Sequence, residues 1–240
     1  MSRPNVVRMR LFSLHFPIFA LSLLFAATMT SCSESNDEDT EYQNWETRNN
    51  EYFENVYQQA KVAIDAGDGS WLIVKSYTKV NGLKAYAEGV ELGGSHTDCI
   101  VAHVVSQREG TEHNEASEIN SSETLFSSPL YSDTVRVHYR GRLIPSASYS
   151  DGKMFDSSWQ GTYDVSTMVP AKMSLAGLVD GFATAVMSMH VGDRWEVYVP
   201  WQLGYGSSSS SSSIPNCSVL RFDITLHSFC KPGTVMPIFK

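Results

Sequence analysis

Several patterns that would assign the sequence to a common functional class are missing. The chain carries 18 Lys and Arg against 26 Asp and Glu, and no basic cluster follows the first ten residues. Binding to phosphate backbones or anionic lipid headgroups therefore has no electrostatic support, which makes nucleic acid a poor candidate partner. The serines form no G-x-S-x-G elbow, and the tract at residues 207–213 is typical of a spacer. A serine hydrolase is the least favoured class.

The first residues have the order of an export signal. Three arginines within residues 1–10 precede an apolar run at residues 11–27, and small residues then lead to Cys32. The position of Cys32 resembles the lipobox of bacterial lipoproteins. We predict a lipoprotein signal peptide at residues 1–31, with Cys32 lipidated after cleavage. The alternatives are an uncleaved membrane anchor and a plain secretory signal with a chance cysteine.

An acidic spacer follows the cysteine. Residues 33–41 contain no apolar side chain and repel one another, so we expect an extended, solvated tether over residues 32–44. Acidic stretches behind a lipidated cysteine also resemble signals that send some lipoproteins to the outer cell surface. The expected location is the cell envelope, lipid-anchored at the outer membrane and either periplasmic or surface-exposed.

Residues 45–97 are predicted to form an accessory region. Apolar and aromatic side chains recur at three- and four-residue steps over residues 45–66, which predicts an amphipathic helix. Residues 71–80 alternate like a strand ahead of the turn dipeptide Asn81-Gly82. The aromatic stripe of the helix packs either on the downstream domain or on a second copy of the chain, so a homodimer through this helix stays open.

Strands dominate the rest of the chain. Residues 98–107 read as a strand, residues 108–128 as a long exposed loop, and alternating apolar residues recur beyond them. Only residues 181–189 are predicted to form a helix. Scattered strands without strand–helix alternation favour an antiparallel α+β domain. We place that domain at residues 98–230 and a tail at residues 231–240.

The sequence contains few cysteines, and their number leaves at least one without a disulfide partner. Cys99, Cys217 and Cys230 remain once Cys32 is assigned to lipid, which is an odd number. A disulfide between Cys99 and Cys230 requires the strands that carry them to lie together, which the sequence leaves open. A zinc site at Cys99 and His103 has no C-x-x-C pair to support it.

Six segments resemble motifs of the FKBP family in order and spacing, over about residues 98–229. DGKMFDSS at residues 151–158 is similar to the family signature D-G-x-x-F-D-S-S, and DTVRVHYRG at residues 133–141 resembles the strand that carries the binding-site tyrosine. The other segments are LVDGF at 178–182, MHVGDRW at 189–195, LGYG at 203–206, and IPN at 214–216 ahead of LRFDI at 220–224. An ordered match of this kind is improbable by chance, although each short motif alone is weak.

The resemblance implies a curved antiparallel β-sheet wrapped around one short α-helix, here with an N-terminal helical extension. It implies peptidyl-prolyl cis-trans isomerase activity, substrates that are proline-containing unfolded or exported polypeptides, no metal or organic cofactor, and a pocket open to macrolide-type inhibitors. By carry-over, the catalytic residues are Tyr139, Phe155, Asp156 and Tyr205, and the substrate-binding residues are Leu178, Val179, Phe182, Ile214 and Phe222.

These residue types suit the isomerisation of a proline bond. Because no bond is made or broken, the site needs a shape that binds the twisted amide better than either planar form. Rigid aromatic rings can bind a pyrrolidine ring through their large apolar contact area. Asp156 could accept a hydrogen bond or orient Tyr139, and Tyr205 could donate a hydrogen bond to a substrate carbonyl. The alternatives are that the apolar residues are ordinary core and that Asp156 caps a turn or bonds its own backbone.

Two departures from the family pattern weaken the expected pocket. Phe182 stands where most active members have tryptophan, and Ala171 stands where an aromatic residue is usual. Both changes remove ring area, and the serine tract replaces the usual flap. We therefore expect broad, weak substrate binding. The alternative function is a non-catalytic FKBP-like binding module or chaperone on the cell envelope.

Overall fold

A computed structural model of the chain describes residues 41–80, 84–87, 92–107, 128–164, 167–208 and 212–239. The predicted features that lie outside these ranges are the signal peptide, Cys32, most of the acidic tether, the Asn81-Gly82 turn and almost all of the loop at residues 108–128. Within the described ranges, no helix is both long enough and apolar enough to span a bilayer.

Two α-helices and eight strands are described. The helices are α1 (Trp45–Asp65) and α2 (Asp180–Ser188). The strands are β1 (Trp71–Lys75), β2 (Lys84–Ala85), β3 (Cys99–Ser106), β4 (Thr134–Arg142), β5 (Met154–Ser157), β6 (Ala171–Ser174), β7 (Arg194–Val199) and β8 (Leu220–Cys230). Short 3₁₀ turns cover His96–Asp98, Leu175–Gly177 and Trp201–Leu203.

The strands form one antiparallel sheet in the order β2-β1-β3-β7-β8-β4-β5. The longest strand, β8, lies in the interior of the sheet between β7 and β4. The far edge of β4 is shared, because β6 pairs with its first half and β5 with its second half. The predicted α+β class, with an antiparallel sheet, one short helix and an N-terminal helical extension, is confirmed.

The strand register separates two faces of the sheet. Ile73 pairs with Val101, which pairs with Tyr198, so these three side chains share one face. Val197 pairs with Phe222, and both point to the opposite face. We call the first the α1 face and the second the α2 face, after the helix that packs on each.

Ring contacts identify the helix on each face. Tyr52 of α1 lies 6.4 Å from Tyr198, measured between ring centroids. Phe182 of α2 lies 5.0 Å from Phe222 by the same measure. Because successive side chains of a strand point to opposite faces, the two helices lie on opposite sides of the sheet.

The N-terminal helix is attached to the sheet by specific polar contacts. The indole Nε1 of Trp45 donates to Ser218 Oγ at 2.8 Å, and Asn49 Oδ1 accepts from the backbone N–H of Val219 at 2.7 Å. Phe53 is 2% exposed. The predicted helix over residues 45–66 is confirmed to within one residue, and its apolar stripe packs within the chain.

The strand predicted over residues 71–80 is too long. β1 ends at Lys75, and the backbone N–H of Lys79 donates to the carbonyl of Ser76 at 2.9 Å, which closes a turn. Ser76 Oγ also accepts from the N–H of Thr78 at 3.4 Å. A serine hydroxyl that bonds its own turn competes with strand pairing, which apolar alternation does not reveal.

The strand register also shows whether Cys99 and Cys230 can form a disulfide bond. Cys99, Cys217 and Cys230 are free thiols. Cys99 lies two residues before Val101, which aligns through β7 with Arg221, whereas Cys230 lies nine residues beyond Arg221 on β8. At about 3.3 Å per residue, these eleven residues place the two cysteines roughly 36 Å apart along the sheet. They cannot form the bond that the sequence left open.

Candidate active site

Tyr139 and Asp156 form a short hydrogen bond at the edge of the α2 face. The Tyr139 hydroxyl donates to Asp156 Oδ2 at 2.6 Å, and Asp156 Oδ1 accepts from the backbone N–H of Ser157 at 2.8 Å. One carboxylate oxygen of Asp156 therefore bonds Tyr139, and the other bonds the backbone of its own strand. Burial raises the pKa of Tyr139, and the bond to Asp156 raises it further. The hydroxyl thus remains a protonated donor at physiological pH.

Four aromatic side chains contact one another beside this bond. Ring centroids lie 5.9 Å apart for Tyr139 and Phe182, 5.0 Å for Phe182 and Phe222, and 5.7 Å for Phe222 and Phe155. All three pairs are close to perpendicular, which is a favourable edge-to-face arrangement. We call these four residues the aromatic cup.

Two glycines permit this close packing. A Cβ atom at Gly141 would lie 2.5 Å from ring atoms of Phe155 and 3.0 Å from the ring of Phe222. A Cβ atom at Gly181 would collide with the side chain of Val199. The missing side chain at Gly141 therefore leaves room for the rings of Phe155 and Phe222. The missing side chain at Gly181 lets α2 pack closely on the sheet.

Three further predicted pocket residues belong to the same apolar core as the cup, or pack against it. Leu178 and Val179 are half-buried and link the 3₁₀ turn at Leu175–Gly177 to the start of α2. Ile214 is buried, and all three belong to or pack against the apolar core that contains the buried rings of the cup. Their contact with a substrate stays a prediction.

Tyr205 occupies the exposed edge of the site. Its side chain is 49% exposed, unlike the buried Tyr139. Partial burial raises the pKa of Tyr205, and the negative charge of Asp156 raises it further, which places this carboxylate near both tyrosines. A neutral hydroxyl at an open edge is suited to donating a hydrogen bond to an incoming chain.

Ser158 is a functional candidate to which the sequence argument gave no role. Its hydroxyl accepts from the backbone N–H of Tyr139 at 2.9 Å, and its own N–H donates to the carbonyl of Tyr139 at 2.9 Å. The hydroxyl also lies 3.1 Å from His138 Nδ1. Ser158 therefore fixes the backbone of the site tyrosine. Its place at the end of the DGKMFDSS signature was the available signal.

Ala171 marks the incomplete wall of the pocket. It lies on β6 opposite Val137 and is half-buried, so a methyl group stands at the position where the family usually has a ring.

Among the described residues, no cluster of three or more His, Cys, Asp or Glu side chains is suited to holding a metal ion.

Comparisons with known proteins concern the segment that carries this site. Residues 127–227 match the FKBP-type peptidyl-prolyl cis-trans isomerase family. The FKBP-type 22 kDa peptidyl-prolyl cis-trans isomerase of Escherichia coli is 39% identical over 98 residues, 41% of this chain and 42% of that protein. The macrophage infectivity potentiator of Trypanosoma cruzi is 34% identical over 105 residues, 44% of this chain and 47% of that protein.

The similarity to these two relatives covers only part of each sequence. The chain spans less than half the length of these two relatives. A crystal structure of a peptidyl-prolyl cis-trans isomerase from Pseudomonas syringae is 20% identical with a TM-score of 0.41, covering 74% of this chain and 96% of that one. The matched residues 127–227 contain the whole aromatic cup, whereas α1, β1, β2 and β3 precede them.

Proposed function

Because residues 127–227 form a domain of the FKBP-type peptidyl-prolyl cis-trans isomerase family, we propose that this chain accelerates the cis–trans isomerisation of X-Pro bonds. The observation that carries the proposal is the contact of four aromatic rings beside the Tyr139–Asp156 hydrogen bond. The substrate proline ring enters this cup.

The chemistry is a rotation rather than a bond exchange. Amide resonance sets a barrier of about 18–20 kcal/mol for the rotation, while the cis and trans ends of an X-Pro bond differ by only about 1 kcal/mol. A catalyst therefore gains rate by binding the twisted amide more tightly than either planar form. The cup holds the pyrrolidine ring and excludes water that would stabilise the planar carbonyl.

Each polar group has a separate task in this proposal. Asp156, held by the Tyr139 hydroxyl, faces the twisting amide with its carboxylate. Tyr205 donates a hydrogen bond to a substrate carbonyl from the open edge, and the backbone of Ile214 contacts the substrate chain. Leu178 and Val179 flank the proline ring, and Phe182 forms the floor of the pocket.

The test is the isomerisation rate of short X-Pro peptides with the purified full chain in detergent. We expect acceleration over the uncatalysed rate, and a loss of about tenfold or more in kcat/KM for Asp156→Ala, because the substitution removes a charged hydrogen-bonding group. Phe182→Ala should lose activity mainly through KM. Glu51→Ala, an exposed substitution on α1, is the matched control and should leave the rate unchanged.

The outcomes separate catalysis from binding. A folded chain that does not accelerate isomerisation would contradict the catalytic function. An unchanged rate in Asp156→Ala would remove Asp156 from the mechanism and leave the cup alone to explain the acceleration.

The clients and location that we propose follow from the N-terminal sequence. The arginines, apolar run and Cys32 support export and lipid anchoring in the cell envelope, where the chain would assist the folding of exported proteins. Labelling with a fatty acid and membrane fractionation test this. Cys32→Ser should abolish the label and release the protein from the membrane, and retention of both would contradict the anchor.

The small ring area of the pocket favours a second candidate function. Phe182 and Ala171 leave less aromatic wall than the family usually has, which suits a module that holds proline-containing chains without catalysis. Under that function, Asp156→Ala retains partner binding although no isomerisation is measured. A macrolide-type ligand that fills the cup should block either function, which a competition assay would measure.

A further inference from the structure

A turn outside the matched domain reaches the helix that carries the pocket floor. The turn after β1 presents Tyr77 and Thr78 to the carboxylate of Asp180, the first residue of α2. The Tyr77 hydroxyl donates to Asp180 Oδ1 at 3.3 Å, and Thr78 Oγ1 donates to Asp180 Oδ2 at 3.1 Å. Each oxygen of the carboxylate is thus held by a hydroxyl that lies more than 100 residues earlier in the chain.

The same turn is tied to the helix by a second set of hydroxyl contacts. Thr184 Oγ1 lies 3.3 Å from Ser76 Oγ and donates to the backbone carbonyl of Asp180 at 2.7 Å. Ser76 Oγ lies 2.9 Å from Thr78 Oγ1. Ser76 and Thr184 are fully buried. These hydrogen bonds form one network that spans the turn and the first turn of α2, with its Ser76–Thr184 part buried and its Thr78–Asp180 bond at the exposed edge.

A second tyrosine extends this contact to the segment before α2. The ring of Tyr131 lies 4.9 Å from that of Tyr77, between centroids, and its hydroxyl donates to the carbonyl of Ala176 at 3.3 Å. Ala176 belongs to the 3₁₀ turn at Leu175–Gly177, which directly precedes Leu178. The segment is therefore held on both sides of Leu178 and Val179.

The position of Asp180 gives this network a direct effect on the pocket. Asp180 follows Val179 in the chain and precedes Phe182 by two residues. A shift of its carboxylate moves the backbone that carries Leu178, Val179 and Phe182, which are three of the substrate-binding residues. Interiors are close-packed, so such a shift changes the shape that the proline ring meets.

We propose that Tyr77 and Thr78 are positioning residues for the proline pocket. From outside residues 127–227, they hold Asp180 and thereby fix residues 178–182 against the cup. The proposal rests on the isomerase function above and adds that the N-terminal region tunes substrate binding at that site.

The first experiment compares Thr78→Val with Thr78→Ser and Tyr77→Phe in the full chain. Valine keeps the shape of threonine but removes the hydroxyl, whereas serine keeps the hydroxyl. We expect kcat/KM for X-Pro peptides to fall roughly threefold to tenfold in Thr78→Val and Tyr77→Phe, mainly through KM, because one hydrogen bond to a carboxylate is lost. Thr78→Ser should recover most of the loss.

Tyr86→Phe is the matched control. The Tyr86 hydroxyl donates to Asp65 Oδ1 at 2.7 Å, so this substitution also removes a tyrosine–aspartate bond from the N-terminal region. Asp65 ends α1 on the other face of the sheet. Tyr86→Phe should leave KM unchanged.

A second readout does not depend on activity. Methyl NMR of Leu178 and Val179 should show displaced resonances in Tyr77→Phe and in Thr78→Val but not in Tyr86→Phe. If the unmodified chain shows no isomerisation, the proposed function is wrong, and the methyl shifts still decide the positioning role. Unchanged KM together with unchanged methyl resonances in both variants would overturn the inference, as would an equal response in Tyr86→Phe.

Discussion

The two faces of the sheet differ in what their side chains do. On the α2 face, four rings contact one another beside a tyrosine–aspartate hydrogen bond. On the α1 face, a 21-residue helix and ion pairs such as Arg194–Asp223 cover the strands. Under the proposed function, residues that alternate along one strand therefore serve stability on one side and substrate binding on the other. Substitutions on the two faces should separate these properties.

The largest expected effect is on stability, from Phe53→Ala on the α1 face. Phe53 is 2% exposed, so its truncation leaves a cavity and should lower the free energy of unfolding by about 3–5 kcal/mol. Urea unfolding measures this loss. Under conditions where the variant is folded, kcat/KM should match that of the unmodified chain. A tenfold fall in kcat/KM for folded Phe53→Ala would show that the two faces are coupled.

A smaller effect is expected on catalysis, from Tyr139→Phe on the α2 face. The substitution keeps the ring contact with Phe182 and removes the 2.6 Å hydrogen bond to Asp156. We expect kcat/KM to fall about tenfold, which corresponds to about 1.4 kcal/mol, with little change in unfolding free energy. Tyr149→Phe, an exposed substitution, is the control. If Tyr139→Phe lost as much unfolding free energy as Phe53→Ala and kept its kcat/KM, the proposed role of Tyr139 in catalysis would be contradicted.

The smallest effect concerns pH and His227, whose ring lies 5.0 Å from that of His138. Burial, and then the neighbouring His138, lower the pKa of His227 to about 4. The unfolded chain binds a proton near pH 6.5 and the folded chain does not, so stability should fall as pH drops from about 6.5 towards 4. Because the His227 ring is partly exposed, we expect only about 1 kcal/mol.

Unfolding in urea at several pH values measures this dependence. His227→Gln should flatten the curve between pH 6.5 and 4 without changing kcat/KM at pH 7. A slope that is the same in His227→Gln would assign the pH dependence to other groups.

The sequence was sufficient to predict the elements that carry the candidate site residues because its signals are local. DGKMFDSS places Phe155 and Asp156 on one short strand, and LVDGF places Leu178, Val179 and Phe182 around the start of one helix. Alternation predicted β4 and β8, and the antiparallel class followed from the absence of strand–helix alternation. These features depend on neighbours within a few residues.

Other features depend on contacts between distant residues. The Tyr77–Asp180 contact joins positions 103 residues apart, and no periodicity in the sequence indicates it. The separation of Cys99 from Cys230 follows only from the register of β3, β7 and β8. The early end of β1 arises because the Ser76 hydroxyl bonds the turn that follows.

The interior position of β8 has a consequence for how the chain acquires its structure. β4 and β7 both pair with this strand, and α1 bonds to Ser218 and Val219 just before it. Among the described elements, the first helix, α1, and the last strand, β8, therefore depend on each other. This long-range connectivity slows folding, since a large loop must close before those contacts form. The ribosome must therefore release the chain as far as β8 before the sheet can close, so β4 and β7 wait for a strand that is synthesised after both of them.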